Sequence, residues 1–169
     1  FSYAIINGVP DQKLSSNSVM ILTSRGSFCS SVILTPRILI TAAHCVAKTS
    51  DLRVHWRAKD QSPILKEVQA VAIHPEFRAD AIKSRTKSID IALVKLAEPL
   101  PQTFVSAPIA WTDRLMVDQS VTIGGYGLSI ENEPKTSGIF HSATLKVIEP
   151  YGPSKILIWL KGRDNNMGS

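Results

Sequence analysis

Nine short runs rich in apolar and β-branched residues recur along the chain, each bounded by turn-forming residues: Val19–Thr23, Phe28–Ile33, Ile38–Thr41, Leu52–Trp56, Ile64–Ile73, Ile89–Leu96, Val121–Ile123, Ala143–Ile148 and Ile156–Leu160. Runs of this length and spacing predict strands, and their repetition predicts an all-β fold. In Leu52-Arg53-Val54-His55-Trp56 apolar and polar side chains alternate, which puts Arg53 and His55 on the solvent side of a strand. Helical periodicity is nearly absent, and the one predicted helical turn is Ala42 to Ala47. Prolines interrupt pairing between Glu98 and Pro108, so this stretch is predicted to join two β-rich halves, 1–100 and 101–169.

A chain of 169 residues, 44% hydrophobic and 20% charged, has the composition of one globular domain or two small halves. No apolar run approaches the roughly 18 to 20 residues that cross a bilayer, so a membrane is not an expected partner. The net charge is +5, yet the basic residues are scattered except for Lys83-Ser84-Arg85-Thr86-Lys87, and aromatics make up only 7%. That pattern predicts a solvated basic loop and no nucleic-acid partner. The chain opens on Phe1 with no basic-then-apolar leader, so any targeting segment is expected to have been removed or to lie outside this sequence.

Cys29 and Cys45 lie 16 positions apart, with no Cys-x-x-Cys and no histidine pair at zinc-ligand spacing. A disulfide is therefore expected, and with it an oxidising compartment, secreted or periplasmic. Next to Cys45 stands His44, in the run Thr41-Ala42-Ala43-His44-Cys45. Small neighbours and a pinned backbone make a socket that presents an imidazole. A second unusual residue is Asp90 in Ser88-Ile89-Asp90-Ile91-Ala92-Leu93-Val94-Lys95-Leu96, a carboxylate in an otherwise buried strand pattern. Such a group is costly without a hydrogen-bonded partner. An aspartate accepting a proton from one imidazole nitrogen fixes the tautomer and leaves the other nitrogen as a general base toward a hydroxyl nucleophile.

Here the sequence resembles the trypsin/chymotrypsin-like serine proteases, along nearly the whole chain and in order. TAAHC at 41–45 is similar to that family's histidine motif and DIALVKL at 90–96 to its aspartate motif. Their 46-residue separation is close to the family's spacing of about 45. The Cys29 and Cys45 spacing resembles its histidine-loop disulfide, and AIHPEF at 72–77 its stretch ahead of the aspartate, which makes His74 a turn residue. GGYG at 124–127 and TLKVIEP at 144–150 resemble elements of the second barrel. The resemblance implies two antiparallel six-stranded β-barrels, 1–100 carrying His44 and Asp90, and 101–169 forming the first part of a second barrel that is incomplete in this chain. It implies a serine endopeptidase acting on protein or peptide substrates. His44 would be base and then acid, and Asp90 would orient it.

The nucleophile of that family lies in Gly-Asp-Ser-Gly-Gly, and no Gly-x-Ser-Gly-Gly occurs in the 169 residues. Neither Ser142, Ser154 nor Ser169 matches the motif. The expectation is a partial chain, with the serine on a second polypeptide that completes the C-terminal barrel; the alternative is an inactive protease-like binding protein. Ile5-Ile6-Asn7-Gly8 resembles the mature start of the family, so Ile5 is the expected new N-terminus after activation, and a chain still beginning at Phe1 is expected to be zymogen-like. Ile64 to Ile73 offers only Glu67 as a carboxylate, and neither metal nor cofactor is expected. His141 is expected to be structural.

Overall fold

A computed structural model of the chain describes residues 5–48, 51–84, 86–111, 114–130, 133, 136–149, 157–162 and 167–168. Ser154, Ile156, Ser169 and Arg85, all considered above, lie outside these residues. The elements in order are β1 (Ile5–Ile6), β2 (Val9–Pro10), α1 (Gln12–Ser15), β3 (Ser18–Thr23), β4 (Phe28–Thr35), β5 (Ile38–Thr41) and α2 (Ala43–Val46). There follow β6 (Leu52–Arg57), β7 (Pro63–Ile73), α3 (Ala81–Ser84), β8 (Ala92–Leu96), β9 (Ser120–Gly125), β10 (His141–Glu149), β11 (Trp159–Gly162) and β12 (Met167–Gly168). The fold is all-β, as expected. It divides into two compact units, one formed by Ser16–Pro108 and the other by the residues up to Ser15 together with those from Ile109 onward.

The Ser16–Pro108 unit is a closed six-stranded barrel in the order β3-β4-β5-β8-β7-β6, and every neighbouring pair is antiparallel. Period-two patterning builds it: on β8 Ala92, Val94 and Leu96 are buried while Leu93 and Lys95 face outward. On β6 Leu52 and Val54 are buried and Arg53 and His55 are half-exposed, as the alternation predicts. The inward residues meet Val19, Ile21, Ile33 and Leu39 in one core. Each full burial of such a side chain is worth about 1.5–3 kcal/mol. The β3–β4 hairpin closes through Thr23, whose N–H donates to Ser27 at 2.9 Å, and turns on Gly26 at φ 77°, a conformation that favours glycine.

The proline-rich stretch after β8 packs on the barrel. Leu100 is buried in the barrel core, Phe104 packs edge-on against Trp56 with ring centroids 5.4 Å apart, and Ala107 N–H donates to the Ile33 carbonyl at 2.7 Å. Prolines prevent a further strand there, and the apolar residues between them are held by the core instead.

In the other unit β10 is the hub of a four-stranded sheet. It pairs with β9 from His141 to Lys146, with β11 from Leu145 to Glu149, and with β2 at His141 and Ser142. A separate two-stranded ladder joins β1 to β12, Ile5 opposite Gly168 and Ile6 opposite Met167. The turn between β1 and β2 places Asn7 at φ 57°, a region asparagine tolerates. Gly8 follows because a Cβ there would lie 2.3 Å from Ile5 Cγ2 and 3.0 Å from the Ser142 carbonyl oxygen. Among the described residues no helix is long and apolar enough to cross a membrane.

Candidate active site

The run TAAHC folds as the end of β5 and the single turn α2, and the reason for its small residues lies in the core. Ala43 and Val46, three apart and on one face of the turn, are 0% and 3% exposed. A larger side chain at 43 would overpack that contact. The turn has no side-chain cap at Ala42, so its backbone is held by Cys45 N–H to Ala42, Ala47 N–H to Ala43 and the Cys29–Cys45 disulfide to β4. Thr41 Oγ1 donates to the Ser30 carbonyl at 2.9 Å and ties the end of β5 to the same strand. His44 thereby projects from the face opposite the core, its side chain 65% exposed.

Asp90 lies in the loop two residues ahead of β8. Its two neighbours are held by the turn that follows β7: His74 N–H donates to the Ile91 carbonyl at 2.9 Å and Ile89 N–H to the Glu76 carbonyl at 3.2 Å. His74 Nδ1 accepts the Glu76 N–H at 3.1 Å, so this histidine is a turn residue, as read from the sequence. The expectation that Asp90 is embedded in a buried strand is corrected: the strand begins at Ala92, and the Asp90 side chain is 42% exposed. The expected hydrogen-bonded partner is nevertheless present.

That partner is His44. Asp90 Oδ2 lies 2.6 Å from His44 Nδ1, and Oδ1 accepts the His44 backbone N–H at 2.8 Å. An ionised carboxylate only accepts, so Nδ1 carries the hydrogen, and in the neutral ring Nε2 keeps its lone pair. Because the aspartate grips both the ring and the peptide of one residue, ring orientation is set relative to the backbone. An exposed ion pair of this kind adds only about 0–1 kcal/mol to stability, so orientation is its larger consequence. Nε2 is 3.6 Å from Cys45 Sγ. The sulfur atoms of Cys29 and Cys45 and a ring nitrogen of His44 all lie within 4.8 Å of one another. The sulfurs are bonded together, and a disulfide offers no thiolate of the kind that zinc takes.

The remaining histidines serve the scaffold. His55 Nδ1 is 3.0 Å from the Ile64 carbonyl oxygen, and buried His141 places Nδ1 3.0 Å from that of Ile139. Ser142, next to it, donates its hydroxyl to Asp11 Oδ2 at 2.7 Å. Asp11 Oδ1 accepts the Leu14 N–H at 2.9 Å and so caps α1. The Leu14 amide and then the Ser142 hydroxyl hold the Asp11 carboxyl below the usual carboxylate range. This clasp joins residues 131 apart, and sequence reasoning found neither partner. Ile5 is 3% exposed, and its N–H donates to the Leu128 carbonyl at 3.2 Å.

The Ser16–Pro108 unit is thus a closed antiparallel barrel that carries a histidine gripped by an aspartate beside a disulfide. The chain belongs to the trypsin family, whose description, Trypsin, matches residues 5–155. It is 29% identical over 122 residues to kallikrein-15 of Saguinus oedipus, covering 69% of this chain and 46% of that one. It is 25% identical over 162 residues to a venom serine protease of Polistes dominula, covering 85% and 56%. The chain thus spans about half the length of these curated relatives. Among solved structures, the scabies mite inactivated protease paralogue S-D1 superposes with a TM-score of 0.72 at 20% identity, covering 96% of this chain and 77% of that one. Neuropsin, a serine protease expressed in the limbic system of mouse brain, superposes with a TM-score of 0.71 at 19% identity, covering 95% and 74%. At these identities the structural likeness speaks for the fold.

Proposed function

We propose that this chain supplies the base half of a serine endopeptidase, with His44 as general base and acid and Asp90 as the group that orients it. The observation that carries the reading is the double grip of Asp90 on His44, at 2.6 Å to Nδ1 and 2.8 Å to the backbone N–H. In this reading a serine hydroxyl gives its proton to Nε2 as its oxygen attacks the scissile carbonyl carbon. The imidazolium is stabilised through Nδ1–H by Asp90, then passes the proton to the leaving amine as the C–N bond breaks, and water repeats the cycle on the acyl-enzyme. The serine itself is assigned to sequence outside the 169 residues, because none of them sits in a Gly-x-Ser-Gly-Gly motif. That sequence, on a second polypeptide, would complete the C-terminal barrel.

Protein or peptide chains are the substrate class that family membership supports. The Cys29–Cys45 bridge supports an oxidising compartment, secreted or periplasmic. Cleavage ahead of Ile5 is the proposed activation step, and it requires release of the Ile5 N–H from Leu128 so that the new amine can move.

The test is a serine-directed fluorophosphonate on the protein isolated with all its associated polypeptides, read by intact mass. Covalent label, abolished by His44→Ala, is the expected result. A folded preparation, cleaved ahead of Ile5, in which no polypeptide takes the label overturns the reading and leaves the protease-like binding protein in its place.

A further inference from the structure

The contact between His44 Nε2 and Cys45 Sγ, 3.6 Å long, is used by none of the chemistry above. The ring is a nitrogen base held by a carboxylate, its free nitrogen faces a sulfur atom, and its side chain is 65% exposed. A nucleophile within reach of a base that a third group orients is the arrangement that activates thiols in cysteine-dependent chemistry. Here the sulfur is capped by its bond to Cys29. We propose that the Cys29–Cys45 disulfide is a thiol-exchange site, whose reduction by a small dithiol or a dithiol protein frees Cys45 as a thiolate paired with the His44 imidazolium.

The exchange has a defined direction. A thiolate of the dithiol attacks Cys29 Sγ, the S–S bond breaks, and its electron pair leaves on Cys45 Sγ, the sulfur stabilised by the neighbouring imidazolium. His44 Nε2 holds the proton that the attacking thiol lost. The second thiol of the reductant then attacks the mixed disulfide, Cys29 leaves and takes the second proton, and the dithiol closes to its own disulfide. The protein gains two electrons and the dithiol loses two. The titratable groups in contact with the pair are Asp90, from the loop ahead of β8, and Cys29, from β4. Asp90 holds the ring through Nδ1 with Nε2 toward the sulfur. The inference stands on this geometry and does not require His44 to act on a serine.

The two cysteines fall on separate tryptic peptides, residues 26–37 and 38–48, so each is read individually. The protein is reduced with dithiothreitol, transferred to pH 6 and alkylated with iodoacetamide over time, with the labelled peptides quantified by mass spectrometry. At that pH an ordinary thiol, titrating near 8.5, is roughly 0.3% thiolate. Cys45 is expected to react at least about tenfold faster than Cys29, and the advantage is expected to vanish in His44→Gln and shrink in Asp90→Asn. Equal rates for the two cysteines overturn the proposal, as does a fast Cys45 that His44→Gln leaves fast. Circular dichroism of the reduced sample accompanies the rates, because a reduced chain that unfolds would label both cysteines alike, and that result also overturns it.

Discussion

Replacing both bridge cysteines, Cys29→Ala with Cys45→Ala, removes a link across 16 positions. In the chain-entropy account a loop of this length contributes roughly 3 kcal/mol by restricting the unfolded chain. Little of the cost should come from the native state. Ala43 and Val46 still anchor α2 in the core, and Asp90 still holds His44 by its backbone N–H. For a chain of this size the loss lowers Tm by roughly 6 to 12 °C, at about 2 to 4 °C per kcal/mol. Urea unfolding followed by tryptophan fluorescence reads the barrel through Trp56, which packs on Phe104 there; Trp111 and Trp159, 92% and 49% exposed, belong to the other unit, and Trp159→Phe in the background removes the half-exposed one from the signal. A loss under about 1 kcal/mol would refute the loop-closure reasoning, since the unfolded chain would then be insensitive to the link. A loss above about 5 kcal/mol would refute it from the other side, by showing that native contacts of the sulfurs dominate.

Protonation of Asp11 should loosen the N-terminal segment. Its carboxyl is held low by the Leu14 amide and the Ser142 hydroxyl, so its contribution is present above the ordinary value of 3.8 and is lost as pH falls through the folded value. The fall in Tm on acidification below pH 4 should be shallower in Asp11→Ala than in the parent; parallel curves would remove the clasp from the account. Burial pushes the Tyr126 phenol up to about 12, so its stabilising effect is complete below pH 10 and is lost as pH rises toward 12. A spectrophotometric titration at high pH should lose its last-ionising component in Tyr126→Phe, and an unchanged curve would count against the burial. Leu39→Ala, at a fully buried barrel position, should cost about 2–5 kcal/mol in urea unfolding. Gly8→Ala should speed amide hydrogen exchange at Ile5 and Asn7, whose N–H groups donate to the Leu128 and Ser129 carbonyls, because its methyl would collide with Ile5 Cγ2.

The barrel was legible because its strands carry their own signal. Ile38–Thr41 is strand with the bounds that the pattern predicts, and Leu52 and Val54 turn inward as alternation requires. The two-residue strands β1, β2 and β12 carry no such signal: Ile5 is strand only because Gly168 lies opposite, and Val9 only because Ser142 does. Asp90 shows the limit of periodicity. The pattern runs from Ile89 to Leu96 without a break, yet the His74–Glu76 turn takes the hydrogen bonds of Ile89 and Ile91 and lifts Asp90 out of the ladder. Its partner was legible all the same, because TAAHC and DIALVKL resemble two motifs that act together in the family, whatever the burial of the aspartate. The Asp11–Ser142 clasp had no comparable cue, since each residue alone is an ordinary cap or strand residue.

The pairing of β1 with β12 also sets an order of events on the ribosome. Once Pro108 has emerged, every strand of the six-stranded barrel is available and that unit can close. The residues before it are still waiting, because β2 needs β10 and β1 needs β12. Synthesis from Pro108 to Gly168 takes roughly 3 to 12 s at ordinary elongation rates. Through that interval Ile5, Ile6 and Val9 remain apolar residues with unpaired backbone, open to a passing chaperone or to mispairing with another nascent chain.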